Sequence, residues 1–357
     1  MRAADDGGVD AEPDAALLAT AERLLRQSGG GGLRALVQLK GGRNNRVFRL
    51  DRGEGPPLAL KSYFSDPGDP RDRLTAEWSF IGYAWRRGVR AIPEPLAIEK
   101  SANAALYSFV QGSKPAADGI GGDEIDAAAD FVAAVNAPPR DPAALGPGSE
   151  ACFSVAQHLA TVERRVERLA ALDAEAPRRA EAERFIRARL GPIWKGVRGA
   201  ILATAAREGI DTDSILADAS CCLSPSDFGF HNALYRDGAG RRALTFLDFE
   251  YAGRDDPAKL VCDFFCQPET PAPLAYFERF LARLADGLAL GLRDQARCRL
   301  LLEAYRVKWA CIILNEFLPV GAARRAFADP DDRSVRCAAQ LRKAEAMLTK
   351  IDFNERR

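Results

Sequence analysis

Asp227 is followed five residues later by Asn232, and Asp248 ends the next strand-like run, in Leu247-Asp248-Phe249-Glu250. Phosphoryl transfer from a nucleotide asks little covalent chemistry of a protein. It needs a carboxylate near the acceptor hydroxyl and oxygen ligands that hold Mg²⁺ on the phosphates. An Asp and an Asn on one loop, with a second Asp on the strand that follows, supply that set. Lys61 lies inside the apolar run Leu58-Ala59-Leu60-Lys61, and it is one of only nine lysines among 50 basic residues. Glu77, sixteen residues further on in a helical pattern, could hold its ammonium toward a phosphate. Gly41-Gly42-Arg43-Asn44-Asn45 reads as a turn between strands, where backbone N–H groups can approach phosphate oxygens. Taken singly, each residue has an ordinary structural use, as loop cap, edge-strand lysine or solvated helix residue. Their joint order points to chemistry.

Positioning these residues requires two kinds of scaffold. Short strand-like runs at 33–39, 47–50 and 58–64 are separated by turns at 41–42 and 52–56. A helix is predicted at 71–87, then two more strands near Leu96 and over 105–110. Ahead of them, Leu17, Leu18, Ala21, Leu24 and Leu25 mark a helix opened by Pro13-Asp14 and closed by Gly29 to Gly32. The stretch 112–123 reads as a linker. Beyond it the period is helical over 124–136, 154–171, 175–190, 193–208, 274–290, 294–317 and 332–350. A hairpin interrupts the helices, with strands at 233–236 and 243–249 joined by the turn Asp237-Gly238-Ala239-Gly240. The expected organisation is a helical extension at 1–32, a nucleotide-binding lobe at 33–112, and a catalytic and acceptor-binding lobe at 113–357.

The run Leu223-Ser224-Pro225-Ser226-Asp227-Phe228-Gly229-Phe230-His231-Asn232, followed by Leu247-Asp248-Phe249-Glu250-Tyr251-Ala252-Gly253, resembles the aminoglycoside phosphotransferase and choline kinase family. The resemblance spans Leu33 to about Phe265, in the family's order and at compatible spacings. It implies an α+β, protein-kinase-like two-lobed fold, with a small β-rich N-terminal lobe and a larger, mainly helical C-terminal lobe. Carried over residue by residue, Asp227 resembles the base that orients or deprotonates the acceptor hydroxyl. Asn232 and Asp248 resemble the Mg²⁺ ligands, and Lys61 the lysine on the α- and β-phosphates with Glu77 as its ion-pair partner. Gly41, Gly42 and Asn45 fall in the nucleotide loop. Leu106-Tyr107-Ser108-Phe109-Val110-Gln111-Gly112 resembles the hinge, whose backbone at Phe109 and Val110 would meet the base.

The chain also departs from that pattern. Pro225 and Ser226 stand where the family has His and Gly. Asp256-Pro257 is followed by Leu260 where a further Asp is usual, and Asp263 is a candidate substitute one helical turn on. The expected activity is transfer from ATP or GTP to a hydroxyl of a small molecule: a sugar, an amino alcohol or an aminoglycoside. Candidate acceptor contacts are Glu250, Asp255, Arg306, Trp309, Asn315 and Glu316. The departures motivate the alternative, a pseudokinase-like nucleotide-binding module without significant turnover. A kinase of protein hydroxyls is disfavoured, because no long activation segment follows Asp248.

Composition narrows the classes further. Fifty Lys+Arg against fifty Asp+Glu give a formal net charge of zero, which argues against nucleic acid or an anionic membrane as partner. The acidic start of the sequence contains no signal peptide, and no run approaches a membrane span, so a cytoplasmic protein is expected. Eight scattered cysteines, with His158 and His231 as the only histidines, read as buried thiols rather than a zinc site, and His231 as a structural loop histidine. Nothing in the sequence speaks to the oligomeric state.

Overall fold

The computed structural model describes residues 14–39, 45–65, 69, 71–139, 141, 144–236, 243–319 and 333–351. Gly41, Gly42 and the expected turn at 237–240 lie outside the described residues. The chain divides into two compact units, Met1–Pro115 with Asn232–Ala252, and Ala116–His231 with Gly253–Arg357. The first unit begins with α1 (Ala15–Gln27), β1 (Leu33–Gln38), β2 (Arg46–Arg52), β3 (Leu58–Ser62), α2 (Arg73–Arg86), β4 (Pro95–Glu99) and β5 (Ala104–Ser108). The second unit continues with α3 (Gly122–Val135), α4 (Val155–Arg168), α5 (Arg179–Phe185), α6 (Gly191–Arg207) and β6 (Cys222–Ser224). The chain returns to the first unit for β7 (Ala233–Arg236) and β8 (Ala243–Phe246). It ends in the second with β9 (Gly253–Asp255), α7 (Pro257–Cys266), α8 (Phe277–Leu288), α9 (Leu292–Ile313) and α10 (Arg333–Thr349).

In the first unit a five-stranded antiparallel sheet runs in the order β1-β2-β3-β5-β4. β3 is its centre, and Lys61 pairs with Val47 on one side and Ala105 on the other. Lys61 is therefore not an edge lysine. α1 is more than an extension: Leu17, Ala21, Leu24 and Leu25 pack against Leu36, Phe48, Leu50, Leu60 and Leu106 in one buried core. Asp14 starts that helix by accepting the Leu17 N–H at 2.7 Å, the role its place before the apolar period suggests.

The β7–β8 hairpin, which the sequence pattern sets among helices, groups with the sheet unit because its backbone bonds lead there. Tyr235 and Ser113 exchange N–H···O bonds of 2.8 and 3.1 Å, and the Phe246 N–H donates to the Ala91 carbonyl at 2.8 Å. Gly112 makes the first contact possible, since a Cβ at that position would run into the Tyr235 carbonyl. Gly112→Ala is expected to cost about 1–3 kcal/mol of stability, the range for overpacking against backbone that cannot yield. Chemical unfolding of the variant beside wild type measures it.

The second unit is helical, with one short strand pair. β6 and β9 align Cys222 with Asp255 and Ser224 with Gly253, three residues each and too short to leave a period in the sequence. They bring the Asp227 loop and the start of α7 side by side. Below them, Phe131, Phe228, Phe264 and Phe280 form a stacked row with ring centroids 5.6, 5.4 and 4.5 Å apart. The helix expected over 175–190 starts later, at Arg179, and passes through a wider π turn over Ile186–Leu190. Among the described residues, no helix is long and apolar enough to cross a membrane.

Candidate functional site

Within the first unit, three chain-distant segments meet on Lys61. Its Nζ lies 2.6 Å from Glu77 Oε2 and 2.6 Å from Asp248 Oδ1. Lys61 and Glu77 are 7% and 3% exposed, so the ammonium has exchanged water for two carboxylates. Burial alone would lower the Lys61 pKa; the charges of Asp248, Glu77 and Glu250 outweigh it and hold it well above the ordinary value. The ammonium stays charged, so the site keeps a buried positive charge between the two carboxylates. Glu77 is itself fastened on three sides. Its Oε2 also accepts from Tyr63 Oη at 2.9 Å, and its Oε1 accepts the Phe249 N–H at 3.2 Å. Tyr107 then donates to Tyr63 across 2.8 Å. Burial pushes both phenols up, which keeps them protonated as donors.

Asp248 adopts a left-handed backbone, φ +64°, unusual for a residue with a Cβ. Its side chain is 40% exposed, and Lys61 occupies Oδ1. Asn232 sits beside it for a register reason. Ala233 pairs with Phe246, and the next pair outward is Asn232 with Leu247, whose N–H donates to the Asn232 carbonyl at 2.8 Å. The open end of the hairpin thus carries an amide and a carboxylate, both of the hard-oxygen class that Mg²⁺ selects.

Asn45 has a different use from the one its glycine neighbours suggest. Its Nδ2 donates to Glu250, and its Oδ1 accepts the Phe64 N–H at 3.1 Å. Both ends of the amide fasten β2 to the chain after β3 and to the segment after Asp248. Glu250, a candidate acceptor contact by sequence, is 3% exposed and committed to that clasp, with Arg73 Nε 4.0 Å away. Phe109 and Val110 follow β5 directly, and the Arg49 guanidinium lies 5.8 Å from the centre of the Phe109 ring.

Asp227 belongs to the second unit, in a tight loop after β6. The Phe228 N–H donates to the Ser226 carbonyl at 2.7 Å, a γ-turn with Asp227 at its centre. Ser226 is left-handed, φ +67°, and its N–H donates to Ser224 Oγ at 3.0 Å. The Asp227 side chain is 37% exposed, and His231 Nε2 stands 3.3 Å from its Oδ1. Lys259, which the sequence reading passed over, reaches this loop from α7. Its Nζ lies 2.6 Å from Asp255 Oδ2 and 3.4 Å from Ser226 Oγ. A signal existed: a rare lysine in an apolar helical run, with Asp at both i−4 and i+4.

Leu260, Asp263, Arg306, Asn315 and Glu316 have partners within the second unit. Leu260 is core, 1% exposed. Asp263 accepts from Lys308 Nζ at 2.9 Å through both oxygens and from Trp309 Nε1 at 2.8 Å. Arg306 bonds Glu303 and the Lys350 carbonyl. Asn315 accepts from Arg168 at 2.7 Å, and Glu316 is fully buried beside Arg336. All eight cysteines are buried free thiols.

No protein-family profile matches the chain, and no curated protein matches it in sequence. Solved structures do match in fold. An ethanolamine kinase of Plasmodium vivax superposes with a TM-score of 0.59 at 12% identity, covering 95% of this chain and 91% of that one. A spectinomycin phosphotransferase, solved with ADP and spectinomycin, gives 0.57 at 12% identity, covering 92% and 97%. A choline kinase of Streptococcus pneumoniae gives 0.54 at 12% identity, covering 89% and 94%. With its five-stranded antiparallel sheet unit and mainly helical second unit, the chain has the kinase-like fold of these small-molecule kinases.

Proposed function

We propose that this protein is a small-molecule kinase, moving the γ-phosphate of ATP or GTP to a hydroxyl of a small acceptor. The observation that carries the reading is the buried ammonium of Lys61, held between Glu77 on α2 and Asp248 at the end of the hairpin. A structural ion pair needs one carboxylate. A second one, left-handed and 40% exposed beside an asparagine, suits a site that holds a metal.

In this reading Asn232 and Asp248 hold Mg²⁺, which when bound neutralises charge on the phosphate oxygens. Lys61 orders the α- and β-phosphates, and Glu77, tied by Tyr63 and the Phe249 N–H, keeps Lys61 from swinging away. The backbone at Phe109 and Val110 meets the base, and Gly41 and Gly42 are assigned to the phosphates. Asp227 accepts the acceptor's hydroxyl proton on a carboxylate oxygen as the acceptor oxygen bonds the γ-phosphorus, and the bond from that phosphorus to the β-phosphate oxygen breaks to release the nucleoside diphosphate. Asn45 acts on the site indirectly, by fixing the start of β2.

Thermal unfolding with Mg²⁺-ATP, with Mg²⁺-GTP and with each nucleotide alone tests the site. Ligand at about a hundred times its dissociation constant adds roughly 2.7 kcal/mol of apparent stability. That gain is expected with metal present and is expected to vanish in Asp248→Ala. Whichever nucleotide gives it is the donor. If neither shifts the transition of the wild type, the kinase reading falls.

A further inference from the structure

We infer that Lys259 is a positioning residue for Asp227, holding through Ser226 the turn from which that carboxylate projects; the inference rests on Asp227 being the base. The turn needs support from outside. Ser226 carries a Cβ in a left-handed conformation that glycine adopts freely, and such residues persist only where their surroundings over-determine them. Ser224 Oγ, at the end of β6, secures the Ser226 N–H but leaves the Ser226 side chain to be held from elsewhere.

Lys259 comes from a rigid platform. Its ammonium has three donors and is 2% exposed. Asp255 Oδ2 takes one donor at 2.6 Å, and Asp263 Oδ2 stands 3.8 Å away on the next turn. Asp255 cannot shift, because its Oδ1 accepts the backbone N–H groups of Cys152 at 3.0 Å and Asp256 at 2.9 Å. Asp256 in turn caps α7 through the Ala258 N–H and is gripped by Arg297. With two sides of the ammonium fixed, the remaining donor points at Ser226 Oγ, the residue before Asp227. Charge balance alone would be met by Asp255 and Asp263. What the third contact adds is a hold on the γ-turn.

Three residues at position 226 separate the effects. Serine has the bond and the strain, alanine only the strain, glycine neither. The probes are hydrolysis of the donor nucleotide, with water as acceptor, and hydrogen exchange of the Phe228 amide, which closes the turn. Ser226→Ala is expected to lower kcat and to speed Phe228 exchange by about tenfold each, the worth of one hydrogen bond to a charged group, with the KM for nucleotide unchanged. Ser226→Gly is expected to recover both to within about threefold, since it needs no support at φ +67°. Lys259→Met is expected to act like Ser226→Ala with serine present and to change neither quantity when glycine is present. A merely structural lysine would move all three backgrounds alike. Equal exchange and equal kcat at serine, alanine and glycine, or no recovery with glycine, would overturn the inference. Should Lys259→Met not fold, the Ser226 variants, which keep the Lys259–Asp255 pair, decide alone. A wild type that hydrolyses no nucleotide would count against the kinase reading, while Phe228 exchange would still decide whether Lys259 holds the turn.

Discussion

Asp227→Ala is expected to lower turnover by about 10²–10⁴, the span that a positioned general base contributes, while nucleotide affinity stays as in wild type. In barrier terms this is roughly 3–5 kcal/mol. Affinity is expected to survive because the groups assigned to the nucleotide, Lys61, Asn232 and Asp248, are held by bonds that do not involve Asp227. The fold is expected to survive as well. Asp227 is 37% exposed, and the γ-turn around it is closed by backbone and Ser224, not by its carboxylate. Steady-state hydrolysis of the donor nucleotide, with kcat and KM resolved separately, reads the result without knowledge of the acceptor. A fall in kcat at constant KM marks an interaction made only in the transition state. Equal kcat in wild type and variant would remove Asp227 from the chemistry and favour a nucleotide-binding module. Asp227→Asn separates shape from basicity and is expected to fall nearly as far.

The second large effect concerns stability. His158 on α4 is fully buried, with Nε2 3.1 Å from Asp256 Oδ2 on the α7 side and Nδ1 2.6 Å from Tyr305 Oη on α9. His158→Leu is expected to cost about 3–5 kcal/mol, the penalty for removing one partner of a buried charged pair. Burial by itself would lower the imidazole pKa. The Asp256 and Cys152 contacts outweigh it and raise the value to about 9. The native state therefore binds a proton that the unfolded state releases near pH 6.5. The resulting stability is fully present below that pH and is lost as pH rises through about 9, a loss of roughly 3 kcal/mol. Asp256 contributes in the opposite sense. His158 and Arg297 hold its carboxyl down against burial, so its share fades only as pH falls below the usual carboxylate range. Chemical unfolding at pH 6 and above pH 9 should show the decline in wild type, and His158→Gln should flatten it. A wild type as stable at the higher pH would mean that His158 is neutral in the fold.

These effects separate what was legible along the chain from what was not. The helix at α1 was readable because Asp14 precedes a 3.6-residue apolar period, and capping is local. The strands around Lys61 were readable from short apolar runs between turn residues. β6 and β9 were not, since three-residue strands leave no period. Asn45 shows the limit most clearly. Its place after two glycines suggested a phosphate contact, yet its amide is taken by Glu250, 205 residues away, and by the Phe64 backbone. Lys259 went unread for the complementary reason: its i±4 aspartates look like solvated helix pairs until the helix is seen to be buried.

By itself, the amino-acid sequence determined which chemistry-bearing residues exist and in what order: Lys61, Glu77, Asp227, Asn232 and Asp248, together with the alternation of strand and helix periods around them. Their order and spacing carried the resemblance that implied the kinase-like fold, while local periodicity marked the strands and helices around them. Only the tertiary structure decided the partners. It placed Lys61 on the central strand between two carboxylates, drew the hairpin to the sheet unit through Ser113 and Ala91, and spent Asn45, Glu250 and Asp263 on packing. A charge removed from water must find its counter-charge wherever the fold brings one near, and that meeting depends on burial and register between distant segments, which no local pattern records.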